Sequence, residues 1–205
     1  MANWFVVIAA YLVGSISFAI VISRSLNLSD PRTYGSGNPG ATNVLRSGHR
    51  PAALMTLLGD GAKGWFAVWM AQRYAVSLGL TELCLALTAL AVFAGHLWPI
   101  FFRFTGGKGV ATALGVLVAV NPWLGLATLV TWLVIAYAFR YSSLAALVAS
   151  LFAPFYYGLL FGTGWMLGAI LIMSTLLVWR HAGNIRNLIS GKEPRLGKKK
   201  QSFNV

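Results

Sequence analysis

The stretch "WFVVIAAYLVGSISFAIVIS", Trp4–Ser23, carries no charged residue. A helix rises 1.5 Å per residue, so about 20 such residues cross the hydrocarbon of a bilayer. No basic residue precedes the run and no small-x-small cleavage site stands where a leader is cut. It therefore reads as a retained first membrane span and not as a signal peptide. The same character returns down the chain. Pro51–Gln72, Leu83–Phe102, Trp123–Phe139, Leu144–Leu160 and Trp165–Trp179 have the length and apolar content of further spans. Val110–Val120 is short and stops at Asn121-Pro122. It is either a short span or a re-entrant segment paired with the one after it, and either way Gly106 and Arg140 stay on one face. The expectation is an all-α polytopic membrane protein with seven transmembrane helices, the fourth short or re-entrant.

Composition points the same way. The 205 residues are 58% hydrophobic and only 10% charged, against roughly 25% charged in ordinary soluble domains. The net charge is +12, with four acids: Asp30, Asp60, Glu82 and Glu193. The bases are one-sided. Arg24, Arg32, Arg46, Arg50, Arg103, Lys108, Arg140, Arg180 and Arg186 border one set of loops, while the opposite loops hold Arg73 and Glu82. By the positive-inside rule the N-terminus is outside and the C-terminus cytoplasmic, and topology accounts for most of the basic excess. No nucleic-acid partner is expected. Residues 1–190 read as a single integral membrane domain. Residues 191–205, with "GKEPRLGKKK", read as a solvated basic cytoplasmic tail within reach of anionic lipid. The lone Cys84 excludes an internal disulfide and a cysteine-built zinc site.

The polar, glycine-rich segments Asp30–Asn43, Thr105–Thr112, Arg140–Ser143 and Arg180–Arg186 all fall on the predicted cytoplasmic face. In "DPRTYGSGNPGATN", Gly35, Gly37 and Gly40 match a dinucleotide-binding fingerprint. That fingerprint needs a preceding strand, and here a membrane helix precedes it, so the match is rejected. What remains is a backbone able to take positive φ and turn N–H groups toward an anion, with Ser36, Asn38 and Asn43 as further donors. Arg46 shares a face with Asn43 if the segment turns helical. A flexible loop between spans would account for the glycines alone.

In "GHLWPIFFRFTGGKGVAT", Gly95–Thr112, a glycine turn with Lys108 enters an apolar helix at Val110. Such a turn aims free N–H groups and the positive dipole end at one point. It is no nucleotide P-loop, since residue 102 is Phe and neither Ser nor Thr follows Lys108. Thr112, four residues on, could turn its hydroxyl to the same place. A basic flank alone would require a lysine but not Gly106, Gly107 and Gly109 around it. In "WRHAGNIRNL", Trp179–Leu188, a helix would present His181 and Asn184 together; an interfacial basic cap is the plain alternative.

Asp60 and Lys63 lie at i,i+3 inside a span, and mutual pairing lowers the cost of placing them there. His96 reads as a packing or turn residue, with no partner cluster for a metal. Gly158/Gly162 and Gly164/Gly168 read as close-packing positions between helices. The His with an Asp five residues later, which marks soluble-domain glycerol-phosphate acyltransferases, is absent at His49, His96 and His181. Asp30 and Glu193 sit beside prolines in loops, which leaves no evident oriented general base.

Three segments, "GSGNPGATNVLR", "GHLWPIFFRFTGGKGVAT" and "RHAGNIR", resemble in order and spacing the signature motifs of the bacterial acyl-phosphate:glycerol-3-phosphate acyltransferases. The resemblance spans nearly the whole chain. It implies a seven-span inner-membrane enzyme with cytoplasmic motifs. The implied reaction moves an acyl group from acyl phosphate to glycerol 3-phosphate, forming lysophosphatidic acid and phosphate without cofactor or metal. No protein base is implied, because the donor's phosphate takes the proton. The implied site has Ser36, Lys108 and His181 as catalytic residues. Gly35, Gly37, Asn38, Asn43, Arg46, Gly107, Gly109, Thr112, Ser143 and Asn184 would bind substrate. Implied partners are the two substrates, membrane lipid and the enzyme that makes the acyl phosphate. Two rivals stay open: a small-anion transporter, which would place polar residues near the bilayer midplane, and a non-catalytic membrane partner with basic loops.

Overall fold

The computed structural model describes residues 2–197, with side chains from Trp4. Among the described residues there is no strand. The helices are α1 (Ala2–Gly14), α2 (Phe18–Ser25), α3 (Ala41–Arg46), α4 (Arg50–Arg73), α5 (Ala75–Leu78) and α6 (Glu82–Leu97). A 3-10 turn at Ile100–Phe102 leads to α7 (Val110–Val120), α8 (Pro122–Phe139), α9 (Ser142–Phe161), α10 (Trp165–Arg180) and α11 (Ala182–Ile189). Glu82–Phe102, α8 and α9 are long and apolar enough to cross a membrane, and two bent pairs pass the same test as broken spans. The outward face is apolar throughout the bundle, with Leu133, Val134, Tyr137, Leu151 and Leu159 exposed. An apolar surface of that extent suits lipid and not water.

The first span differs from the expected straight Trp4–Ser23 helix. It breaks between α1 and α2 with a bend of 44°. Ser17 is extended at φ −87°, ψ 98°, and Ser15 Oγ turns back to the Tyr11 carbonyl at 2.9 Å. The break frees the Ile16 carbonyl, and Lys63 Nζ from α4 donates to it at 2.7 Å. Lys63 also pairs with Asp60 Oδ1 at 3.0 Å. The expected Asp60–Lys63 pairing is therefore present within α4, and it closes the gap between α1 and α2. The short α7, about 16 Å long at the helical rise, turns into α8 at Asn121. There the Asn121 side chain caps the Trp123 N–H at 2.9 Å, and α7 packs against both α4 and α8.

Close helix crossings are made by glycines other than those expected. A Cβ on Gly14 would overlap the Val92 carbonyl, and one on Gly95 would overlap the Tyr11 carbonyl, so α1 and α6 meet backbone to backbone. Gly64 meets Thr112 and Gly115 meets the Gly61 carbonyl in the same way, which seats α7 on α4. Small residues allow this approach where burial of apolar surface alone drives little association in lipid. Gly158, Gly162 and Gly168 have open space around them, and Gly164 faces the Glu82 carboxylate. The expectation is corrected for Gly158, Gly162 and Gly168, which are not helix-crossing positions, while Gly164 at the start of α10 packs closely on Glu82 of α6.

The expected basic tail starts folded against α9. The Leu196 N–H donates to the Arg140 carbonyl at 2.7 Å, and Arg140 Nη2 donates to the Leu196 carbonyl at 3.0 Å. Arg195 lies over the Tyr141 ring at 5.5 Å. Residues 198–205, with the triple lysine, fall outside the described residues.

Candidate active site

One end of the bundle gathers the loop after α2, the loop before α7, the start of α9, the α10–α11 corner and the returning 191–197 segment. They surround a cavity of about 2040 Å³. Its mouth is polar, and it continues between helices along Leu114, Val118, Leu129, Trp132, Ala153 and Met173.

The loop after α2 is organised by Asn43. Its Oδ1 accepts the Ser36 N–H at 3.0 Å, and its Nδ2 donates to the carbonyls of Pro31 at 2.7 Å and Tyr34 at 3.1 Å. Gly35 carries φ +61° with Asn43 Oδ1 packed against it, so a side chain there would collide and be strained. Asn43 is buried, and its side-chain atoms bond to the loop itself. The loop presents Ser36, Asn38 and, from α3, Arg46 to the cavity.

Opposite stands the glycine loop. Arg180 Nη2 donates to the Gly106 carbonyl at 2.7 Å and its Nε to the Gly107 carbonyl at 3.1 Å. With those carbonyls tied to Arg180, Gly109 at φ +85° turns the chain into α7. Lys108, Gly109, Val110 and Ala111 all line the cavity. The ammonium and the free first-turn amides of α7 thus face one space. Thr112 does not join them: its Oγ1 donates to the Asp60 carbonyl at 3.0 Å, inside the α4–α7 contact. Gly37 and Gly107 shape their loops without lining the cavity.

Lys108 Nζ donates to Asn184 Oδ1 from α11. Asn184 Nδ2 donates to Glu193 Oε1 at 2.7 Å, and Ser143 Oγ donates to the same oxygen at 2.6 Å. Glu193 is buried, and its Oε2 has no hydrogen-bond partner. Burial lowers the pKa of Lys108; Glu193 opposes the shift, and Arg46 and Arg180 add to it. His181, at the corner between α10 and α11, points Nδ1 at the Leu177 carbonyl at 2.8 Å. A carbonyl only accepts, so Nδ1 carries the proton and Nε2 is left as an acceptor. Burial, opposed by that same bond, pushes the imidazole pKa down to about 4, which keeps it neutral.

The structure therefore brings Gly35, Ser36, Asn38, Asn43, Arg46, Lys108, Gly109, Ser143, His181 and Asn184 to one cavity. Two participants were not legible beforehand. Arg180 read as a basic flank, and Glu193 as a loop acid beside a proline. The one signal for either is that Glu193 is the sole acid in the basic tail.

The glycerol-3-phosphate acyltransferase family model matches residues 4–191. A glycerol-3-phosphate acyltransferase of Janthinobacterium sp. (strain Marseille) is 69% identical over 95% of this chain and 96% of its own length. One of Herminiimonas arsenicoxydans is 66% identical over 95% of each. Among solved structures, PlsY (YgiH), an integral membrane glycerol 3-phosphate acyltransferase, superposes in its glycerol 3-phosphate form with a TM-score of 0.90. The identity is 38%, and all of both chains is covered. Its lysophosphatidic acid form gives 0.87 over 96% of each chain. The chain belongs to the glycerol-3-phosphate acyltransferase family and is an integral membrane acyltransferase.

Proposed function

We propose that this chain transfers an acyl group from acyl phosphate to a hydroxyl of glycerol 3-phosphate, the first acylation in bacterial phospholipid synthesis. The hydroxyl oxygen bonds to the acyl carbonyl carbon, the bond from that carbon to the phosphate oxygen breaks, and the departing phosphate takes the hydroxyl proton. The products are 1-acylglycerol 3-phosphate and inorganic phosphate. The observation that carries this reading is the cavity itself. Lys108 and the start of α7 stand at a polar mouth that runs on into an apolar groove between helices, so one space suits both a phosphate and an acyl chain. The glycerol 3-phosphate and lysophosphatidic acid forms of PlsY support glycerol 3-phosphate as acceptor and lysophosphatidic acid as product.

In this reading Lys108, Arg46, Ser36, Asn38 and the amides beyond Gly107 and Gly109 hold phosphate oxygens, helped by the dipole of α7. Ser143 and Asn184 hold the glycerol side, with His181 Nε2 accepting from the glycerol hydroxyl that does not attack. Gly35, Gly37, Asn43 and Thr112 act by holding those donors in place. Proximity and fixed donors supply the rate. Residues 1–190 form the catalytic domain. It crosses the bacterial inner membrane seven times with α7 as the short fourth crossing, N-terminus outside, and the site on the cytoplasmic face. The enzyme that supplies acyl phosphate would meet it there.

The test is purified protein in detergent with acyl phosphate and glycerol 3-phosphate. Phosphate release that depends on glycerol 3-phosphate is expected, and acyl-CoA should not replace the donor. Release without the acceptor, or equal use of acyl-CoA, would refute the reading.

A further inference from the structure

Beneath the glycine loop lies a charged cluster that none of these roles uses. Asp60 and Lys63 of α4 and His96 of α6 are all buried. Lys63 Nζ and His96 Nδ1 approach the same oxygen, Asp60 Oδ1, at 3.0 and 3.5 Å. The ion pair needs no third member for charge balance, and Lys63 is further satisfied by the Ile16 carbonyl at 2.7 Å. Yet the imidazole is inserted between that pair and the loop. A Cβ on Gly107 would overlap His96 Nε2, and the Pro39 carbonyl lies 3.0 Å from the same point. The Gly107 N–H donates to the His96 carbonyl at 3.1 Å. On the far side of Lys108, the Thr112 hydroxyl donates to the Asp60 carbonyl at 3.0 Å. The cluster thus contacts the chain just before Lys108 and just after it.

We infer that Asp60, Lys63 and His96 are positioning residues for acyl transfer. The Asp60 carboxylate, 3.5 Å from Nδ1 and short of a hydrogen bond, orients the imidazole by attracting its Nδ1 edge. The imidazole sets the level of Gly107, and the α4 carbonyl anchors the first turn of α7. Together they fix where Lys108 and the α7 amides meet a phosphate. Lys63 balances the Asp60 charge so that the carboxylate can be kept there. This rests on the reading that the glycine loop binds a phosphate group of the reactants. The expected size follows from geometry, since a 1 Å misplacement of binding groups costs on the order of 100-fold in rate.

The test is three variants of the full chain: H96F, which keeps a ring without polar atoms; H96Q; and D60N/K63M, which removes both charges without stranding one. Each is checked for fold by circular dichroism and melting, then assayed at saturating acyl phosphate and glycerol 3-phosphate. All three are expected to stay folded and to lose about 10- to 100-fold in kcat. A packing role alone would leave H96F near wild type, and a purely structural ion pair would leave D60N/K63M near wild type. A folded H96F with kcat within about twofold of wild type overturns the inference; if H96F does not fold, H96Q decides by the same criterion. Wild type that turns over beside normal His96 variants sinks this inference alone. Wild type that releases no phosphate sinks the functional reading and this inference with it.

Discussion

Lys108 is the residue on which the proposed chemistry turns. It bonds to Asn184, stands at the start of α7, and shares the cavity with Arg46. Lys108→Ala is expected to lower phosphate release by at least about 100-fold, the scale of losing one charge-stabilising donor, while the helices stay folded. Near-normal turnover would remove Lys108 from the site. Ser36→Ala should cut the rate with little change in melting temperature; the reverse pattern would make the loop structural. His181 carries a pH prediction. Its folded pKa of about 4 lies below the roughly 6.5 of an unfolded histidine. Stability from this group is therefore full above pH 6.5 and is lost as pH falls toward 4. Melting temperature should drop over that window, and His181→Gln should flatten the drop. Ser36, Lys108, His181 and Asn184 were legible because glycines and helical spacing surround them. Asn43 and Thr112 carry the same donors in the same motifs, and pattern alone does not say whether an amide or hydroxyl faces a ligand or its own backbone. Glu193 left no local pattern because its partners, Ser143 and Asn184, come from other segments.

At the scale of elements, the helices were legible from apolar length, and most ends fell within a few residues of expectation. By length and apolarity, though, three of them, or five with the bent pairs, pass as spans against the seven expected. The break between α1 and α2 was not legible, because "GSIS" is uncharged and small enough to continue a helix in any hydropathy reading. Its cause is tertiary: the freed Ile16 carbonyl has the Lys63 ammonium to receive it. Helix crossings were mislocated for a related reason. A glycine in a span is equally visible whether it meets a neighbouring backbone or open lipid. The two kinds should part on substitution. Gly115→Ala drives a methyl into the Gly61 carbonyl and should cost roughly 1–3 kcal/mol, seen as a lower melting temperature in detergent. Gly168→Ala, with open space around it, should leave melting unchanged. Equal effects from the two would refute the assignment of α4–α7 as the close crossing.

Across the whole molecule, the cavity draws on residues from Leu28 to Gly197, and no short segment contains it. The all-helical membrane class was readable from apolar length and composition, and the gathering of motifs at one end from the side on which the polar loops fall. How the chain closes the site was not, because that depends on residues 191–197 returning to Arg140 and Tyr141. Removing residues 192–205 is expected to abolish turnover while the helical content measured by circular dichroism changes little. Activity that survived this truncation would relegate Glu193 to a bystander. That returning segment also works as a mechanical link: one carboxylate, Glu193, ties Ser143 of α9 to Asn184 of α11, and Asn184 in turn bonds Lys108. A displacement of the segment is thereby passed through two side chains to the ammonium at the entrance of α7.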